Sequence, residues 1–128
     1  MKLLLDTHIW LWSKSDPGRL GKRVAEALSS AENELWLSPI SIWEVLTLAR
    51  KKRIRIADPL GWVESAASQM REAPLTQEIV RASFVLSLPH ADPADRFLAA
   101  TAKVLNLTLV TADSVLLGLG DIGSLANR

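Results

Sequence analysis

Short unbroken apolar runs alternate along this chain with longer stretches in which apolar residues recur every three or four positions. Leu3-Leu4-Leu5, Leu35-Trp36-Leu37 and Leu107 to Val110 are runs of the first kind. Brief apolar runs without polar alternation suit strands of a parallel sheet covered on both faces. The helical periodicity falls between them, in Thr7 to Trp12, Gly21 to Ser30, Ser38 to about Arg53, Asp58 to Met70, Thr76 to Leu88 and Pro93 to about Leu105. In the second of these, Val24, Ala25 and Leu28 share a face. Ser38-Pro39 and Asp58-Pro59 each combine a capping side chain with proline at the first helical position. Asp16-Pro17-Gly18 is a turn, Pro74-Leu75 reads as a further short strand, and His90 to Asp95 reads as a loop. A last short helix follows Asp113, and Gly118 and Gly120 punctuate the tail.

Strands separated by helices predict βα units, hence an α/β fold of three layers, α/β/α, around a short, mostly parallel central sheet. No linker, repeat or low-complexity segment divides the sequence, so residues 1–128 are expected to form a single domain.

Composition narrows the chemistry. With 48% hydrophobic residues the chain can bury a real core, which argues against disorder. It has no cysteine, so a metal would be held by oxygen or by the imidazoles of His8 and His90. Lack of cysteine also suits a cytoplasmic protein. The opening apolar stretch is broken by Asp6 and His8, and the run near Phe97 by Lys103, so no membrane span is expected. The N-terminal apolar run is too short for a signal peptide. A net charge of +1 gives no global attraction for nucleic acid. A local basic cluster, Arg50, Lys51, Lys52, Arg53 and Arg55, either holds RNA backbone or closes a helix at the negative end of its dipole.

Acids stand in more telling places. Ligands of open α/β sheets bind beyond the carboxyl ends of the strands. Asp6 follows the first predicted strand and Asp113 the last, while Glu44 and Asp95 lie early in predicted helices. Asp6 and Asp113 are also suited to be helix caps, as is Asp92 ahead of Pro93. Glu44 is harder to explain as structure. Its helix, with Ile40, Ile42, Trp43, Val45, Leu46 and Leu48, is apolar nearly all round, which predicts burial. A buried glutamate needs a partner, and no lysine or arginine lies one turn away. Carboxylates crowded together call for a cation, and hard oxygen ligands suit Mg2+ or Mn2+.

The strings LLLDTHIWLW, SPISIWEV, HADPADRFLAATA and LVTADSVL together resemble PIN-domain nucleases, in particular the VapC-like toxins of bacterial toxin–antitoxin pairs. The resemblance covers nearly the whole chain in the family's order. It implies a PIN-like fold, a metal-dependent endoribonuclease acting on RNA with Mg2+ or Mn2+, homodimerisation, and inhibition by a small antitoxin protein. Carried over residue by residue, it implies that Asp6, Glu44, Asp95 and Asp113 are both the metal ligands and the catalytic acids. Asp92 competes with Asp95 for the third place; Asp95 directly precedes the apolar run RFLAA, which leaves Asp92 as the cap. The fourth acid is the least uniform in the family, so Asp113 can act through a metal-bound water.

Other residues carry two readings each. Thr7 and Thr111 orient a carboxylate or a bound water, or simply cap. His8 and His90 have structural or supporting roles, or touch phosphate. Arg96 forms a surface ion pair or neutralises the scissile phosphate. Trp36 and Trp43 read as core; Trp10, Trp12 and Trp62 are core, or a patch for a partner. The alternative function is a PIN-like subunit that binds RNA or a partner without cleaving. A receiver-like or phosphatase-like domain ranks lower, because Thr7 and His8 follow Asp6 where such folds usually carry another acid.

Overall fold

Leu3, Leu4 and Leu5 are all buried, and they alternate between two separate cores. That is what a strand with both faces covered requires. The computed structural model describes residues 1–88 and 92–128. Its strands are β1 (Lys2–Leu5), β2 (Glu34–Leu37), β3 (Arg71–Glu72), β4 (Thr108–Thr111) and β5 (Ser124–Ala126). They pair in parallel in the order β3-β2-β1-β4-β5. The helices are α1 (Thr7–Ser15), α2 (Lys22–Ser29), α3 (Pro39–Arg50), α4 (Pro59–Ala67), α5 (Gln77–Val85), α6 (Pro93–Leu105) and α7 (Ser114–Leu117), with a 3-10 turn at Pro17–Arg19.

On one face of the sheet, Leu3, Leu5 and Val110 pack with Ile9 and Trp10 of α1, Val24 of α2, Val45 of α3 and Val63 of α4. On the other, Leu4 and Leu109 pack with Ile79 of α5, Leu98, Ala99 and Ala102 of α6 and Leu116 of α7. Three layers result, as the alternation of runs predicts. Trp10 is the largest side chain with no exposed surface; it donates its indole N–H to the Ala66 carbonyl at 3.2 Å and lies against Trp62, ring centres 5.2 Å apart. That places Trp10 in the core, with Trp62 half-buried against it.

Several boundaries differ from the sequence expectation for local reasons. The third strand is Arg71–Glu72, not Pro74-Leu75. The Ala73 N–H still reaches Leu37 O at 2.9 Å, but Pro74 has no N–H to continue the ladder. Helix α3 stops at Arg50 rather than Arg53, because Lys52 turns to φ 57°. The Arg53 N–H then bonds Leu48 O and the Lys52 N–H bonds Ala49 O, the paired closure of a Schellman motif with lysine where glycine is usual. Asn106, at φ 54°, closes α6 the same way. Strand β5 carries no sequence signal of its own; only pairing with Leu109, Val110 and Thr111 defines it.

The chain leaves β1 towards β2 and β3 on one side and returns to β4 and β5 on the other. In open sheets of this kind the crevice lies beyond the carboxyl ends of the strands where the order reverses, here between β1 and β4.

Candidate active site

Asp6 sits in that crevice. Its backbone N–H continues the sheet to Val110 O at 2.9 Å, and its side chain is almost wholly buried. Oδ1 accepts the Thr7 N–H at 2.7 Å, the capping role that its place before α1 predicts. Oδ2 accepts the Thr111 hydroxyl at 2.7 Å from the neighbouring strand. The Thr111 oxygen in turn accepts the Asp113 N–H at 3.0 Å. Asp113 is half-buried and caps α7, its Oδ1 accepting N–H groups of Val115 and Leu116 at 2.8 and 3.3 Å. Asp6 and Asp113 are therefore helix caps, as their positions predict, and are also linked through Thr111 at the switch point.

Glu44 reaches the same crevice from α3, held by the Thr7 hydroxyl, which hydrogen-bonds its Oε1. Ser41, one turn earlier on α3 and fully buried, lies 2.9 Å from the Thr7 oxygen. A hydroxyl has one proton and an ionised carboxylate only accepts, so the Thr7 proton goes to Glu44 and Ser41 supplies the proton between the two hydroxyls. Thr7 thus binds Asp6 through its amide and Glu44 through its side chain. Ser41 was not visible as a site residue in the sequence; the only signal is its spacing of three before Glu44, which puts both on one helix face.

The expectation that α3 is buried all round is corrected here. Only Ser41 and Val45 of α3 are fully buried, Glu44 is half-buried, and Trp43 is 60% exposed rather than core. Helix α3 belongs to an outer layer, packed on α1, α4 and α6, and its remaining face opens outward. Trp36 is half-buried against the core, its indole donating to Glu34 Oε1 at 3.2 Å.

Asp95 enters from the first turn of α6, whose Leu98, Ala99, Ala100, Thr101 and Ala102 are buried. Asp92 is the cap, accepting the Ala94 N–H at 3.0 Å. Burial pushes the Asp95 carboxyl up to about 7, and the negative charges of Asp92, Asp6, Asp113 and Glu44 push in the same direction. Burial also raises Asp6 and Glu44 above the usual carboxylate range, against the lowering effect of their hydroxyl partners. All four predicted acids are therefore electrostatic neighbours, and His8 acts on Asp6 and Glu44 in the opposite, lowering direction.

Such a set fits a hard divalent cation. Its donors are carboxylate oxygens whose charges repel one another, and hydroxyls and amides support Asp6, Glu44 and Asp113. Among the described residues no three acidic or imidazole groups converge as a ready-made ion cage. Mg2+ does not require one, since it keeps several waters and commonly takes one or two carboxylates along with substrate phosphate.

Other candidates resolve differently. Among the described residues Arg96 forms no ion pair. Its guanidinium donates to the carbonyls of Ser83 and Leu86, both at 3.1 Å, and Leu88 at 3.4 Å, closing the end of α5. His8 is exposed on α1 and its ring contacts Trp12, centres 5.8 Å apart. Trp12 also carries the Arg19 guanidinium 4.3 Å over its ring. His90 lies outside the described residues. The basic cluster from Arg50 to Arg55 is exposed at the opposite end of α3 from the acids, where it follows the helix's negative pole.

Comparison with known proteins agrees with this architecture. Residues 3–120 match the PIN domain. The chain is 36% identical over 115 residues to Ribonuclease VapC22 of Mycobacterium tuberculosis, covering 87% of this chain and 86% of that protein. Among solved structures, VapBC2 from Rickettsia felis bound to a promoter DNA fragment superposes with a TM-score of 0.79 at 15% identity, covering 98% of each chain. A toxin–antitoxin complex from Klebsiella pneumoniae gives 0.68 at 24% identity, again over 98% of each chain. The parallel sheet, its reversal of strand order and a family match over nearly the full length lead to one conclusion: this chain belongs to the PIN domain family.

Proposed function

We propose that the chain, as one nuclease unit over residues 1–128, is a Mg2+- or Mn2+-dependent endoribonuclease and the toxin of a toxin–antitoxin pair. The observation that carries this reading is the electrostatic coupling of Asp6, Glu44 and Asp113 to Asp95, whose carboxyl is pushed up by burial and by their negative charges. The relative named as a ribonuclease supports hydrolysis of RNA, and the toxin–antitoxin complexes among the structural neighbours support an antitoxin partner; a cytoplasmic location goes with this reading. No helix among the described residues is long and apolar enough to cross a membrane. Phe84 and Val85, exposed on α5, offer apolar surface to a second copy or to the antitoxin.

In this reading Asp6, Glu44 and Asp95 would hold the cation directly, and Asp113 would contribute directly or through water. A bound divalent ion supplies a Lewis acid that makes water a better nucleophile and neutralises charge on the phosphate. Thr7 and Thr111 fix Asp6 so that its oxygens need not reorganise when the phosphate arrives. The N-termini of α1 and α6, which carry Asp6 and Asp95, would favour the substrate's negative charge.

Asp6→Asn tests the reading, since asparagine caps as well as aspartate but carries no charge. The variant should fold by circular dichroism, bind RNA, and lose most turnover on a mixed-sequence RNA with either metal. Glu44→Gln and Asp95→Asn should behave alike, with little further loss on combination, whereas Asp92→Asn should be mild. Wild-type cleavage by folded Asp6→Asn would overturn it, and RNA binding by a wild-type protein that cleaves nothing would favour a non-catalytic subunit.

A further inference from the structure

Trp43 is 60% exposed, although it immediately precedes Glu44 on a helix rich in apolar residues. It is not stranded on open surface. With Ile40 and Glu44 it forms one face of α3, at spacings of three and four, and this face looks across a cavity of about 350 Å3 at Pro93, Ala94 and Phe97 of α6. The cavity walls are almost entirely apolar, yet Glu44 and Asp92 stand at its edge. A hard-metal site has no use for an indole and a phenyl ring in its wall, and neither ring completes the core of the fold. An unpaired nucleobase matches these properties. It is flat, its faces stack on aromatic rings, and its edge carries N–H groups that a carboxylate accepts. The phosphodiester backbone would then lie at the carboxylates, one nucleotide away from the base.

Resting on the ribonuclease reading above, we propose that Trp43, with Phe97 and Pro93, forms a base-stacking subsite for the single-stranded nucleotide flanking the scissile phosphate, with Asp92 accepting from the base edge. Duplex RNA, whose bases are stacked on one another, cannot present one there. Asp92 adds a bias towards bases with exposed amino groups. The bound nucleotide would enter after the two carboxylate-bearing helices, α3 and α6, and would bridge them.

Two measurements separate this subsite from the catalytic reading. The first is steady-state cleavage of a short single-stranded RNA and of its analogues lacking one base at each position in turn, by wild type, Trp43→Phe and Trp43→Ala. Removing one particular base should cost wild type roughly tenfold or more in kcat/KM, within the range of a lost aromatic stack. Trp43→Ala should suffer that loss on the intact RNA, mostly in KM, and should no longer distinguish intact from base-deleted RNA; Trp43→Phe should recover most of it. The second is indole fluorescence during binding of the same RNA, which should be quenched in wild type and much less in Trp43→Phe. Cleavage of intact RNA by folded Trp43→Ala with wild-type KM would overturn the subsite and leave the nuclease reading standing. Quenching that depends on Trp43, without any cleavage, would keep the subsite and remove the nuclease reading. Unchanged RNA parameters with a changed oligomeric mass would assign Trp43 to a protein interface and overturn the proposal.

Discussion

The Thr111 hydroxyl donates to Asp6 Oδ2 at 2.7 Å, joining the last residue of β4 to the residue that follows β1. These parallel strands are neighbours where the order of strand connection reverses, so the bond spans the fold's ligand crevice. Because the same Thr111 oxygen accepts the Asp113 N–H, this threonine sets two of the four acids at once. Thr7 does the equivalent for Asp6 and Glu44. Asp6, Glu44 and Asp113 are thus arranged through two threonines, Thr7 directly after Asp6 and Thr111 two residues before Asp113.

Thr111→Val keeps the shape and the strand propensity while removing the hydroxyl. The expected outcome is a folded protein, less stable by about 1–3 kcal/mol because a buried carboxylate loses its donor. Cleavage at limiting Mg2+ should fall by roughly 10–100-fold, the usual cost of losing a group that orients a ligand, and Thr111→Ser should restore much of it. Thermal melts and metal titrations of the cleavage rate measure the two effects. Equal metal dependence in Thr111→Val and wild type would show that the bond is structural only.

Arg96 presents a different expectation. Its fork takes the Ser83, Leu86 and Leu88 carbonyls together, a geometry that a lysine ammonium does not reproduce. Arg96→Lys should therefore behave almost like Arg96→Ala, each losing about 1.5–3 kcal/mol in chemical denaturation, the range for hydrogen bonds to a charged group. Amide exchange should speed up first at the end of α5. Arg96→Lys as stable as wild type would contradict the fork.

What could be read from the sequence follows from how local each signal is. The apolar runs at Leu3 and Leu107 and the Ser38-Pro39 start are local, and all three lie where the pattern puts them. The acids were legible because strand ends and helix starts fix where a side chain faces. Trp43 was misplaced because apolar residues around a helix say nothing about which face its neighbours leave open. The role of Arg96 was hidden because its acceptors are backbone carbonyls thirteen, ten and eight residues away, which no side-chain pattern records. Ser41 and β5 were hidden for the same reason, each being defined by a partner distant in sequence.

The charge crowding makes its own prediction about pH. Asp95 ionises near its ordinary value of 3.8 in the unfolded chain but only at about 7 in the folded, metal-free protein. Below about pH 4 it is protonated in both states and costs nothing. Between about 4 and 7 the folded state keeps a proton that the unfolded state has released, so folding stability falls as pH rises, and above 7 the full cost is present. Asp6 and Glu44 are raised too and act in the same direction. The melting temperature of the metal-free protein should therefore decline across this window, and Asp95→Asn should flatten the decline. A divalent ion must displace the retained proton, so the Mg2+ concentration for half-maximal stabilisation should drop as pH rises towards 7 and then level off. Saturating Mg2+ should reverse the slope, because the cation turns mutual repulsion into shared attraction. A melting temperature that rises with pH in the absence of metal, or a Mg2+ requirement that ignores pH, would mean that Asp95 does not share its charge with the other acids.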